Sequence, residues 1–319
     1  MRRLSFVLVC LVAAAGGALV PGTAPAAGPG RRPVAFTVRN PDQPGQQRIA
    51  GYRYDPPCQA STVVLLEHGL SYTKEAWDFP GYSVARALAD FGYAVVAIDR
   101  LGYNESKLED GRKVSFEAYA SMAHQIVDQL RAQGFQHVVL AGHSAGGGIT
   151  EYEAGMFGGV DAIMVFAWHH RPSDRLAQDF MTGDMVRATQ HDYEYFLGTP
   201  EHRSEMFFTK DADPAVVAAD RAAAVPTPSG EILTIGKQPS RYAVQKVTVP
   251  VFLQFATEDL LFEPQYAQLH ASEFTSSPSV TVDLVPGGHT YWLHPSGRQA
   301  IQHIINWLHW RPEAVACPI

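Results

Sequence analysis

The chain has 319 residues, 46% of them hydrophobic and 18% charged, with a formal net charge of −7. That composition supports a sizeable buried core and excludes wholesale disorder, and the acidic balance without long basic runs excludes an electrostatic nucleic-acid binder. The length suits one large α/β domain carrying an insertion, and nothing in the chain points to an obligate assembly.

The first residues combine Arg2-Arg3, an apolar stretch from Leu4 to Val20, and small residues at Ala24-Pro25-Ala26. This order predicts a secretory signal over residues 1–26, cleaved to release an extracellular protein. A lipoprotein signal at Cys10 fits less well, because Val9 stands where a small residue is needed. No later segment is apolar over the thickness of a bilayer, so no stable membrane insertion is expected after cleavage. Loss of the signal leaves two cysteines, Cys58 and Cys317, and an oxidising compartment predicts a disulfide between them.

Strand-like runs begin at Val34–Val38 and Gln47–Tyr54. Ser61–Glu67 then carries Thr62-Val63-Val64-Leu65-Leu66, an apolar block expected of a parallel strand buried on both faces. A helix over Tyr82–Phe91 stops at Gly92, and Tyr93–Ile98 reads as a second buried strand. Phe116–Gln133 has apolar residues at helical spacing and closes at Gly134; Val138–Ala141 is the next strand, with a helix expected after it. Ala162–Phe166, Val249–Phe255 and Ser279–Leu284 are further strands, and Arg298–Trp310 is a helix with Ile301, Ile304, Ile305 and Leu308 on one face. Strands alternating with helices predict a mostly parallel central sheet flanked by helices. The rhythm breaks between His169 and Lys246, a stretch rich in aromatics and methionine and punctuated by proline. It predicts a largely helical cap over residues 169–248, inserted between core segments 27–168 and 249–319.

Gly142-His143-Ser144-Ala145-Gly146 matches the G-x-S-x-G elbow, and it follows an apolar strand and opens a helix, as that motif requires. A nucleophilic serine on so sharp a turn needs small neighbours, and it needs a base oriented by a third group. Downstream, the strand from Pro250 ends at Thr257-Glu258-Asp259, a turn with two carboxylates, and Pro286-Gly287-Gly288-His289 places a histidine in a glycine-rich loop after the last strand. Serine, acid, histidine is the chain order expected of this elbow.

With His68-Gly69 and Asp99-Arg100-Leu101-Gly102, these motifs resemble the α/β-hydrolase superfamily, in its esterase- and lipase-like serine-hydrolase branch. The resemblance covers residues 60–168 and 249–310. It implies the α/β-hydrolase fold and a triad of Ser144, His289 and Asp259, with Glu258 as the alternative acid. It also implies an oxyanion hole made by the backbone N–H groups of Leu70 and Ala145. Serine at the elbow, where haloalkane dehalogenases and most epoxide hydrolases carry aspartate, implies acyl transfer on a small or medium apolar ester. A lactonase, an amidase or peptidase, and a cofactor-free haloperoxidase-like enzyme remain alternatives on the same triad, and a non-catalytic binding protein is a further one. Two positions depart from the family pattern: Asn104 stands where glycine is common, and Glu67 where an apolar residue is usual. Asparagine tolerates positive φ; Glu67 is expected either to be hydrogen-bonded and structural or to tune the site.

Pocket residues are expected from His143, Trp168, Phe180, Tyr195 and Phe207. The 13 histidines form no HExxH motif or Cys/His cluster, so neither a metal nor a cofactor is expected. His169, His170 and His294 are assigned to surface or cap-facing positions.

Overall fold

The computed structural model describes residues 30–177, 193–196, 200–312 and 314–317. Eight strands form one sheet: β1 (Arg31–Arg39), β2 (Gln46–Tyr54), β3 (Thr62–Glu67), β4 (Ala94–Ile98), β5 (His137–His143), β6 (Ala162–Phe166), β7 (Val251–Ala256) and β8 (Val280–Val285). Their order across the sheet is β1-β2-β4-β3-β5-β6-β7-β8. β1 and β2 pair antiparallel, as do β2 and β4, and every later pairing is parallel. In the centre Val64 lies opposite Val95 on one side and Val139 on the other. This is the α/β-hydrolase fold.

The alternation of side chains along a strand divides the core into two halves. Val63, Leu65, Val96, Val138, Leu140, Val165 and Leu253 face one half, where α2 (Phe116–Ala132) and α3 (Ala145–Met156) supply Tyr119, Ile126, Leu130 and Ile149. Val64, Leu66, Val95, Val139, Met164 and Phe252 face the other, covered by α1 (Val84–Asp90) through Leu88 and, at the far end of the chain, by the helix Gly297–His309 through Ile301, Ile304, Ile305 and Leu308. With helices on both faces, every residue of β3 to β7 except His137 is buried, which is why these strands are almost continuously apolar in sequence. α1 starts two residues later than the periodicity predicts. Ser83 leaves a short ladder with Asp78 and its hydroxyl accepts from the Arg86 N–H at 3.0 Å, capping the helix there.

Between β6 and β7 the described residues form α4 (Pro200–Phe207), α5 (Pro214–Ala223) and α6 (Ser229–Ile235), followed by two single 3-10 turns, Pro239–Tyr242 and Val244–Lys246. A two-residue ladder joins Tyr195–Phe196 to Thr227–Pro228. After β7 come a short helix, α7 (Ala267–Ala271), then β8 and α8, the helix Gly297–His309. Cys58 and Cys317 are disulfide-bonded, with Cα atoms 6.1 Å apart. The bond ties the tail to the loop before β3, and the Cys317 N–H donates to the Gly92 carbonyl at 3.0 Å. None of the described helices is long and apolar enough to cross a membrane.

Candidate active site

Ser144 sits where β5 turns into α3, at φ 54° and ψ −124°. A left-handed φ on a residue with a side chain is strained, and the surroundings must hold it. They do so by contact too close for side chains. A Cβ on Gly142 would lie 2.1 Å from the Gly146 carbonyl oxygen, and one on Gly146 would lie 2.6 Å from that of Glu67. The Ser144 N–H donates to the Phe166 carbonyl at 2.8 Å, anchoring the turn to β6.

His289 and Asp259 come from the loops after β8 and β7 and meet below the surface. His289 Nδ1 lies 2.9 Å from Asp259 Oδ2, and both side chains are fully buried. The other carboxylate oxygen, Oδ1, accepts from the N–H groups of Leu261 at 2.8 Å and Phe262 at 3.1 Å, so the acid is held on both sides. Glu258 is exposed and its side chain takes no part in this contact. His289 Nε2 is buried without a hydrogen-bond partner among the described residues. Phe207 and Phe262 flank the ring at centroid distances of 5.0 and 5.7 Å.

Three further histidines set the positions of these groups. His68 Nε2 accepts from the Arg100 N–H at 3.1 Å, which leaves Nδ1–H to donate to the Gly69 carbonyl at 2.8 Å. Carbonyl and N–H of a trans peptide point in opposite directions, so fixing the Gly69 oxygen aims the Leu70 N–H the other way. His143 was expected at the pocket; instead it is buried, and its Nε2–H donates to the His289 carbonyl at 3.0 Å while its ring meets Trp292 edge-on. Burial holds both His68 and His143 well below the usual histidine range, and the neutral tautomers are the ones these bonds require. His294, expected at a surface or cap-facing position, is buried as well and stacks on Phe208 of the segment between β6 and β7. Its Nδ1–H donates to Thr290, and its Nε2 accepts from Thr209 at 3.1 Å and Gly288 at 3.3 Å. Each of these contacts spans distant parts of the chain or a loop with no repeating pattern, so no local motif announced them.

Leu70 and Ala145 stand beside the elbow: a Cβ on Gly69 would lie 3.0 Å from Ser144 Cβ. Among the described residues neither N–H donates to another protein group. Phe207 reaches the site. Trp168 is buried, donates to Glu151 Oε2 at 3.2 Å and packs on Phe262. Tyr195 is drawn to the 102–111 loop, where its hydroxyl donates to the Leu108 carbonyl and its ring stands over Gly111. Phe180 lies outside the described residues. Asn104 adopts φ 43° and its amide donates to Asp99 Oδ2 at 3.1 Å, so the turn survives without glycine. Glu67 is fully buried, its Oε2 has no hydrogen-bond partner among the described residues, and burial pushes its carboxyl up to about 8.

The sequence profile of the Alpha/beta hydrolase family matches residues 63–300. Among solved structures, the chain superposes on a thermophilic esterase from Thermogutta terrifontis with a TM-score of 0.70 and 19% identity, covering 88% of this chain and 100% of that one. An esterase from Exiguobacterium antarcticum gives 0.66 at 16% identity, covering 86% and 99%. An enol-lactonase from Burkholderia xenovorans gives 0.64 at 14%, covering 82% and 96%. No curated protein is matched by sequence. At these identities the likeness is one of fold.

Proposed function

Because the chain belongs to the alpha/beta hydrolase family, we propose that it is a serine hydrolase that cleaves a small or medium apolar carboxylic ester, with Ser144, His289 and Asp259 as its triad. The observation that carries this reading is the buried, unpartnered His289 Nε2, whose opposite nitrogen is held by Asp259 in the loop packed against the elbow.

The chemistry follows from those atoms. Ser144 Oγ attacks the ester carbonyl carbon and its proton passes to His289 Nε2. Asp259 keeps Nδ1 protonated, which fixes the tautomer with a free lone pair on Nε2 and then stabilises the imidazolium. The N–H groups of Leu70 and Ala145 receive the developing oxyanion, each contributing about 3–4 kcal/mol in a water-poor site. As the tetrahedral intermediate collapses, Nε2–H protonates the leaving alcohol. Water then enters, gives a proton to Nε2 as its oxygen bonds the acyl carbon, and Nε2–H returns that proton to Ser144 Oγ as the bond to the acid breaks. Phe207 and Phe262, which flank His289, and Tyr72, whose ring stacks on Phe207 at 5.9 Å, supply the apolar surroundings, and we read residues 169–248 as the cap that shapes the acyl site. Residues 1–26 are read as an export signal, supported by a disulfide that an oxidising compartment would preserve.

Labelling with a fluorophosphonate, alongside turnover of short p-nitrophenyl esters, tests the reading. Wild type should label to one equivalent. Ser144→Ala should abolish labelling and lower kcat by on the order of 10³-fold or more, with its fold retained. Undiminished turnover in that variant would remove Ser144 from the mechanism.

A further inference from the structure

Away from the triad, three elements bring metal-ligating side chains to one buried point. Glu151 lies on α3, His170 just beyond β6, and His270 on α7; all three are buried, and one ligand atom from each lies within 4.8 Å of the others. Glu151 Oε1 is 2.7 Å from His270 Nε2, and Oε2 is 3.0 Å from His170 Nε2. The opposite nitrogens are also engaged by a carboxylate: Glu273 Oε2 lies 2.8 Å from His170 Nδ1 and 3.0 Å from His270 Nδ1. Glu273 is itself held by Arg171 at 2.9 Å, and Glu151 by the Trp168 indole.

Each imidazole therefore faces a carboxylate from both of its nitrogens. A neutral imidazole has one N–H, so its second nitrogen would turn a lone pair toward a carboxylate oxygen. Either a proton on each Nε2 or one divalent cation replacing both removes that conflict at both rings at once. The exchange balances, since M²⁺ enters, two protons leave, and the net charge is unchanged.

We propose that Glu151, His170 and His270 bind one divalent transition-metal ion of the zinc class, as a structural ion tying the segment that follows Asp259 to the nucleophile's helix. Two imidazoles and a carboxylate are a zinc donor set. Glu273 supplies the outer carboxylate that orients metal-bound histidines through Nδ1–H. Zinc–ligand bonds of about 2.0–2.1 Å in tetrahedral geometry set ligand atoms about 3.3 Å apart; the two Glu151 contacts, 2.7 and 3.0 Å, fall short of that by a few tenths of an ångström, and all three ligand atoms lie within 4.8 Å of one another. Ser240 Oγ, 2.9 Å from His170 Nε2, stands beside the remaining position. From this point the chain reaches the triad through Phe262, which packs on Trp168, His169 and His289.

Because the site is buried, the ion must enter during folding. The test is to unfold the disulfide-intact protein in guanidinium with chelator, refold it with zinc chloride or with chelator, and measure bound metal and melting temperature. Zinc refolding should leave one ion per chain after gel filtration and raise Tm by about 5–10 °C. Cobalt should give the visible absorption of a tetrahedral nitrogen–oxygen site. Glu151→Gln and His270→Gln should lose the ion, and Glu273→Gln should weaken binding by about 10–100-fold. Wild type that retains no zinc and melts alike in both refolds overturns the proposal whether or not the variants fold, leaving the cluster held by protons. Zinc that survives both ligand substitutions overturns it too. Neither readout depends on the substrate.

Discussion

Burial at Glu67 works against its own charge, and the consequence can be measured. Its carboxyl is pushed up to about 8 by loss of solvent, with the Arg100 guanidinium only partly opposing that shift. In an unfolded chain the group titrates near 4.5. Below that value both states hold the proton and nothing is lost. Between about 4.5 and 8 the folded chain keeps a proton that the unfolded chain has released, so stability falls as pH rises; above 8 the full cost is present. Glu67→Gln cannot ionise. Its advantage over wild type should be flat in acid, widen through this window, and reach on the order of a few kcal/mol at its upper end. Urea denaturation of both proteins across that range checks it, and a difference independent of pH would mean Glu67 is already charged in the folded state.

At the scale of elements, the loop carrying His289 depends on the segment inserted between β6 and β7. The Phe207 carbonyl, at the end of α4, accepts from Thr290, while His294 takes the N–H groups of Thr209 and Gly288. His294→Ala strands both donors and loosens the loop against α4. We expect kcat for ester turnover to fall by about 10-fold or more with KM changed less, because under the proposed mechanism misplacing His289 slows the chemical step. A loss of stability with kcat intact would assign His294 to packing alone. The elements themselves were largely legible from sequence. β3 to β7 betray themselves because strands buried on both faces cannot alternate, and Gly92 and Gly134 punctuate helices in ways a reader can see. The elbow was legible for a similar reason, since strain at Ser144 demands Gly142 and Gly146 at fixed offsets. The histidines were not. His143 finds its partner 146 positions away, His270 119 and His170 103, so nothing local in the sequence announces these contacts. One signal was available for the metal-ligating cluster: Glu151 follows Gly146-Gly147-Gly148-Ile149-Thr150, and a carboxylate in so apolar a helix needs an interior partner.

For the whole molecule, the cross-link between Cys58 and Cys317 encloses almost all of the sheet, from β3 to β8 and the closing helix. Restricting the unfolded chain over a loop of that length stabilises the fold by about 5 kcal/mol on the chain-entropy model. Cys58→Ser/Cys317→Ser should unfold at correspondingly lower urea with a larger m-value, because its unfolded ensemble is free to expand. An unchanged midpoint would mean that native strain cancels the entropic gain.

The position of this cross-link also sets a clock. Cys317 is added 259 residues after Cys58, on the order of tens of seconds later at ribosomal speed. Throughout that interval the earlier thiol has no legitimate mate, although the strands between them are already available to pair. The bond therefore follows synthesis of the candidate site rather than directing it: it can lock only a chain in which Ser144, Asp259 and His289 have all been made.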